Sequence, residues 1–279
     1  MIKGLIRLMR LYYSLPLAGG FVVILAYLTG GNLKSISGKT MLSFGSLFCV
    51  ISAGYVLNDI CDIVVDRINC PLRPLAHGKV NIKTAMVLAV ILFAAAIVLA
   101  WHCTPMFFAG ITMLAVMLVL YDFLSKRIGI FKDILVAFLT TSLYPLAFTV
   151  TGASDSLRVN VLYILPVWLF FTAMGYEMLK DVRDTIGDRV IDGRALNNLS
   201  TKTWFLPAAR IIIITASLTA TLPFFLGYCK WVYLLASSVS VILAIVAAFK
   251  KPAVAIRYVY AEIFLITFGS ILDLVVFGP

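Results

Sequence analysis

Charge-free runs of nearly uniform length constrain this chain more than any other feature. Residues 11–33, 40–58, 134–154, 159–176, 211–229 and 231–249 each contain 18–23 residues without an ionised side chain. A helix rises 1.5 Å per residue, so each run can cross a hydrocarbon layer of about 30 Å. The run 84–121 is 38 residues long, too much for one crossing. Trp101-His102-Cys103-Thr104-Pro105 interrupts it, which predicts a tight hairpin between two spans. Residues 258–277 make a last span, interrupted by Glu262 and Asp273. The expectation is an all-α polytopic membrane protein of nine transmembrane helices. Composition agrees. Charged residues make up 13% of the chain, against about a quarter in soluble domains, and mean hydropathy is +1.03.

Lysine and arginine placement tests the span count. Of 23 such residues, 19 fall on the N-terminus and the even-numbered loops, and the other side holds only Lys34, Lys39, Arg158 and Lys230. A wrong count would scramble this alternation. By the positive-inside rule the N-terminus is cytoplasmic and the C-terminus outside. The net charge of +10 is therefore topology, dispersed over loops and not gathered on a nucleic-acid-binding face. The N-terminal bases Lys3, Arg7 and Arg10 precede an apolar run, as in a signal peptide, but the run is long enough to be the first span and no small-residue cleavage site stands out. Five cysteines (Cys49, Cys61, Cys70, Cys103, Cys229) show no metal-binding or redox spacing and read as reduced thiols. The longest inner loop leaves no room for a soluble domain, so residues 1–279 read as one transmembrane domain.

Six of the 13 acidic residues are aspartates of two short stretches. In YVLNDICDIVVDR, Asn58, Asp62 and Asp66 recur at i, i+4 and i+8, within about 80° of one helical face, with Asp59 beside them. In YEMLKDVRDTIGDR, Asp181, Asp184 and Asp188 recur at i, i+3 and i+7, within about 60°. The stretches follow spans two and six, so they lie on the same side of the membrane. Acids at helix ends commonly pair with nearby bases. Two columns of like charge, both at one membrane edge, favour a different purpose, because carboxylates this close repel unless cations lie between them. Hard oxygen ligands with no His or Cys in either column suit Mg²⁺, which bridges carboxylates to phosphates, and argue against zinc. Arg67 and Arg73 follow the first column, Lys180, Arg183 and Arg189 interleave the second, and Lys126 and Arg127 lie on the inner loop between. Bases with Mg²⁺ make a clamp for a diphosphate. Opening into a lipid-facing bundle, it implies a substrate with a diphosphate head and a hydrocarbon tail.

The residues NDICDIVVDRINCPLRPLAHGKV resemble the first signature of the UbiA superfamily of intramembrane prenyltransferases, through Asn58, Asp59, Asp62, Asp66, Asn69, Pro71, Arg73, Pro74 and Gly78. KDVRDTIGD resembles the second signature, and LYDFLSKRIG, with Tyr121 and Lys126, the Tyr-x-x-x-x-Lys stretch between them. The resemblance implies a helical bundle with a central lipid-accessible cavity. It implies two Mg²⁺ ions, held by Asn58, Asp59, Asp62 and Asp66 and by Asp181, Asp184 and Asp188. It implies an isoprenyl diphosphate donor gripped by Asn58, Arg67, Arg73, Lys126, Lys180 and Arg183. Catalysis would rest on Asp62, Asp184, Tyr121 and Lys126, the allylic C–O bond ionising before a lipid or aromatic acceptor attacks. EMLKDVRDTIGDR is similar to the subgroup that transfers geranylgeranyl to geranylgeranylglyceryl phosphate. Tyr176-Glu177 stands where that subgroup usually has Arg-Glu, and LNNLST where it usually has Thr-Leu-Pro. Both departures fall where the acceptor could be read, which keeps an aromatic acceptor open.

Two rival classes are weaker. An ion-coupled transporter would place carboxylates near mid-membrane, not clustered at one edge. Asp188…Asp192-Gly193 faintly resembles a CDP-alcohol phosphotransferase signature, but the further residues do not follow. Glu177, one turn before Asp181, is a candidate for metal or acceptor contact. His77 reads as a solvated loop residue and His102 as a structural hairpin residue. Glu262 and Asp273, three turns apart on one face of the last span, read as a structural pair or interfacial acids.

Overall fold

The computed structural model describes the backbone of residues 2–124, 130–192 and 202–278, and the side chains of these except 124 and 185–192. Among the described residues there are helices and no strand, and nine stretches are long and apolar enough to cross a bilayer. Each coincides with a run read from the sequence. Large apolar side chains such as Val87, Val90 and Ile91 are more than half exposed, the surface expected of a span that faces lipid.

The packing falls into two units. The first contains α1 (Ile2–Leu8), the start of α2 (Leu11–Leu28), α3 (Ser37–Cys61), α4 (Ile63–Asn69), α5 (Ile82–Trp101) and α6 (Pro105–Leu124). Here α3 packs on both α5 and α6. Gly54 lets α6 approach closely, since a β-carbon there would meet Leu118 at 3.2 Å. Ser46 Oγ donates to the Ala96 carbonyl at 2.8 Å, tying α3 to α5 inside the membrane. The predicted hairpin holds. Thr104 Oγ1 accepts from the Phe107 amide at 3.1 Å and Pro105 takes the first helical position of α6. The loop between α4 and α5 is pinned by Leu75 and Val80, which bury against Leu8, Ala53, Val56 and Ala85. Gly78 supplies its left-handed turn (φ +74°), and Asn81 caps α5 by accepting from the Lys83 amide at 2.9 Å.

The second unit contains the end of α2, α7 (Ile130–Thr141), α8 (Leu143–Val150), most of α9 (Val161–Asp192), α10 (Phe205–Thr219), α11 (Leu222–Phe225), α12 (Trp231–Ala248) and α13 (Pro252–Phe277). Met178 and Leu179 of α9 pack with Phe205, Ala209 and Ile213 of α10 and Val259 of α13. The apolar face of α9 is thereby fixed, which leaves its charged residues to another face.

Glu262 and Asp273 are not the pair or interfacial acids expected. Eleven residues along a helix separate them by about 16 Å, so neither can reach the other. Each is fully buried and bonds elsewhere. Glu262 accepts from Trp168 Nε1 at 3.1 Å and Ser217 Oγ at 2.6 Å. Asp273 accepts from the backbone amides of Lys230 and Tyr233 at 2.9 and 3.1 Å, capping α12 from a neighbouring helix, and pairs with Arg158 at 2.9 Å. All five cysteines are free thiols, and burial pushes Cys229 up to about 12.

Candidate active site

The first aspartate motif grows out of the end of α3. The helix breaks at Asp62 (φ −100°, ψ 8°) and resumes as α4, so the column is not one uninterrupted helix. Its hydrogen-bond spine persists all the same. The amides of Asp62, Asp66 and Cys70 bond the carbonyls four residues back at 2.8–2.9 Å. Asn58 and Asp62 therefore remain neighbours on one face, and Asn58 Nδ2 donates to Asp62 Oδ2 at 3.0 Å.

Two arginines hold the other carboxylates. Arg10 is buried, pairs with Asp59 Oδ1 and lies 4.9 Å from the centre of the Tyr55 ring. Its backbone is left-handed (φ +46°) at the junction of α1 and α2, a conformation that costs a non-glycine residue energy. Burial works against its charge, but Asp59 overrides burial and raises its pKa. Arg73 reaches Asp66 Oδ2 at 2.5 Å and Asp59 Oδ1 at 3.3 Å. Burial pushes Asp66 up to about 6, with Arg73 pulling the other way. Arg67, expected beside Arg73, is exposed. Arg10 carried no motif signal beyond its charge. Only its long-range pairing with Asp59 marks it.

Asp122 was also missed. It is the residue after Tyr121, near the end of α6, and only 4% exposed. Asn58 Nδ2 donates to its Oδ1 at 3.2 Å, while its Oδ2 is buried without a hydrogen-bond partner. One amide group thus bridges Asp62 and Asp122. Both partners are acceptors, so Asn58 must turn its NH₂ toward them, leaving its own carbonyl oxygen for another ligand. Tyr121 is half-buried in the same turn.

The second motif lies on α9. Asp181 pairs with Lys132 from the first turn of α7. Lys180 holds Glu177 at 2.7 Å, and Arg183 binds Asp184 through two bonds of 2.7 Å. Lys180 and Arg183 thus face acids of their own motif. Beside them Asp133 is fully buried, and neither of its carboxylate oxygens has a hydrogen-bond partner. The side chains of Asp188 and Arg189 lie outside the described residues, as do Lys126 and Arg127.

The sequence matches the UbiA prenyltransferase family over residues 16–253. The chain belongs to that family. It is therefore an integral membrane prenyltransferase. Among its relatives, the digeranylgeranylglyceryl phosphate synthase of Natronomonas pharaonis is 33% identical over 84% of this chain and 82% of the relative. The synthase of Methanococcoides burtonii is 30% identical over 76% and 74%. A structure solved for work on digeranylgeranylglyceryl phosphate synthase in membranes superimposes with a TM-score of 0.71, 22% identity and 98% coverage of both chains. A UbiA homologue from Archaeoglobus fulgidus bound to GPP and Mg²⁺ superimposes with 0.65 and 16% identity, over 96% of this chain and 99% of that one. At such identities these two structures establish the fold alone.

The family implies a divalent metal, and the residues can be tested against it. Among the described residues no three His, Cys, Asp or Glu side chains converge on one point, and Arg10, Arg73, Lys132 and Arg183 pair with Asp59, Asp66, Asp181 and Asp184. The donor chemistry nonetheless suits a hard cation. Every ligand on offer is oxygen, and a buried orphan oxygen of Asp122 accompanies the Asn58–Asp62 pair.

Proposed function

We propose that this prenyltransferase transfers a geranylgeranyl group from geranylgeranyl diphosphate to geranylgeranylglyceryl phosphate. The observation that carries this reading is the similarity to digeranylgeranylglyceryl phosphate synthases over most of the chain, 33% over 84% of it in one case. Residues 1–279 act as one catalytic domain, with the N-terminus cytoplasmic. Asn58, Asp59, Asp62 and Asp66 and Asp181, Asp184 and Asp188 are assigned to holding two Mg²⁺ ions. Four crossings separate the two motifs, so both return to the same membrane edge. Bound there, Mg²⁺ would neutralise charge on the departing diphosphate.

The chain's own residues have three tasks. Arg10 and Arg73 exchange partners: each now sits on a carboxylate, and each can turn its fork to diphosphate oxygens when a metal takes the acid. Lys132, Lys180 and Arg183 do the same at the second motif, with Lys126 adding charge from the inner loop. These positive groups stabilise the negative charge that grows as the allylic C–O bond breaks, in surroundings that water screens poorly. The apolar helices keep water from intercepting the electron-deficient carbon, and Tyr121 offers a ring and hydroxyl beside the first motif. The glycerol hydroxyl of the acceptor then forms the ether bond and loses its proton.

The test is an assay of purified protein with labelled geranylgeranyl diphosphate and a panel of acceptors, read by mass spectrometry. Ether-linked product from geranylgeranylglyceryl phosphate and none from 4-hydroxybenzoate supports the assignment; the reverse transfers it to an aromatic acceptor. Asp62→Ala and Asp184→Ala should each abolish product while the protein still inserts and folds. Full turnover by both would refute the catalytic assignment.

A further inference from the structure

We infer that Asp122 is an additional metal ligand, supplied by α6 to the first aspartate motif. The inference rests on the metal assignment above and goes beyond it, because neither signature contains this residue. The argument starts from burial. A carboxylate that is 96% removed from solvent needs partners for both oxygens, since desolvating an anion without them is costly. Asp122 has a partner for one. Oδ1 accepts from Asn58, and Oδ2 accepts from nothing among the described residues. The same Asn58 amide serves Asp62 Oδ2 at 3.0 Å, so two carboxylates from different helices are brought together around one neutral donor. Asp59 and Asp66 of the motif are each engaged by arginine. Among the described residues no basic side chain is bonded to Asp122. A hard divalent cation supplies what is missing: it binds the orphan oxygen and relieves the repulsion between the two acids.

The geometry also explains why α6 matters to chemistry at the end of α3. Asp122 follows Tyr121 directly, so a metal bound by Asp122 fixes the turn that carries Tyr121. Tyr121, proposed above to act beside the first motif, and the metal would then be carried by one element.

The experiment uses the full-length protein in detergent, without substrate, and Mn²⁺ as the probe. Free Mn²⁺ is read by electron paramagnetic resonance for wild type, Asp62→Asn and Asp122→Asn, with folding checked by circular dichroism and thermal midpoint. Weakening of Mn²⁺ binding by more than about 100-fold in both variants supports the proposal, because losing an outer-shell partner costs about 10–100-fold; a smaller loss in Asp122→Asn overturns it. Weakening in Asp62→Asn alone overturns it and leaves the motif's metal assignment intact. No weakening in either overturns both. Should Asp122→Asn fail to fold, wild type still decides. Fe²⁺ with ascorbate and peroxide cleaves backbone beside its ligands, and cuts within residues 118–124 as well as 58–66 are expected. Cuts confined to 58–66 would exclude Asp122.

Discussion

At the scale of single residues, the site is a set of acids held ready by bases. Asp66 shows the cost. Burial raises its pKa from an ordinary 3.8 to about 6, with Arg73 opposing. The folded protein therefore binds this proton more readily than the unfolded chain does. The contribution of Asp66 to stability is complete below about 4 and disappears as pH rises through 6. Metal binding has the opposite sign, because a ligand must lose its proton first. From pH 8 to pH 5, wild type should gain thermal midpoint relative to Asp66→Asn, while its Mn²⁺ affinity falls over the same range. Differential scanning fluorimetry and metal titration at matched pH measure the two trends. A midpoint difference between the proteins that stays flat with pH would remove Asp66 as the titrating group.

At the scale of helices, packing rests on small residues that let backbones approach, since lipid offers no hydrophobic drive between spans. Gly269 of α13 sits against Ala236 of α12, and a β-carbon there would collide with the Ala236 methyl. Gly19 in α2 has nothing within 4 Å of such an atom. Gly269→Ala should lower the detergent thermal midpoint by an amount equivalent to about 1–3 kcal/mol of overpacking. Gly19→Ala should leave it unchanged or raise it slightly, as alanine favours helix. Equal effects would mean that α12 and α13 do not depend on this contact. The contrast also shows what a sequence can disclose. Spans were legible because each helix carries its own signal, an unbroken apolar run of bilayer length. The Asn58–Asp62 contact was legible because i, i+4 spacing is local. Asp122, Arg10 and Lys132 were not legible as site residues. Their partners lie 64, 49 and 49 positions away, and no periodicity within one helix reports such a contact. Glu262 and Asp273 failed for a related reason. One-face spacing predicts a shared environment, whereas burial gave each acid donors from other helices.

At the scale of the whole molecule, orientation decides which compartment supplies the diphosphate. On the proposed topology nineteen of 23 basic residues lie on one side, a bias that favours keeping that side in the cytoplasm. Fusions placed along the chain should read it directly. Green fluorescent protein joined after residue 79 or 251 should fluoresce, because both positions follow an even number of crossings. Alkaline phosphatase joined after residue 103 or 278 should be active, because both follow an odd number. The pair at 251 and 278 is the sharper test. It brackets α13, the span whose two acids weaken its hydropathy, and it succeeds only if that helix truly crosses. Glu262 and Asp273 are buried among Trp168, Ser217, Arg158 and the amides of Lys230 and Tyr233, so insertion of α13 depends on helices already in place. Phosphatase activity after 278 should therefore fall in Arg158→Ala, which leaves Asp273 without its counter-charge, while fluorescence after residue 79 stays unchanged. Activity at 278 that ignores Arg158 would show that α13 inserts on hydropathy alone.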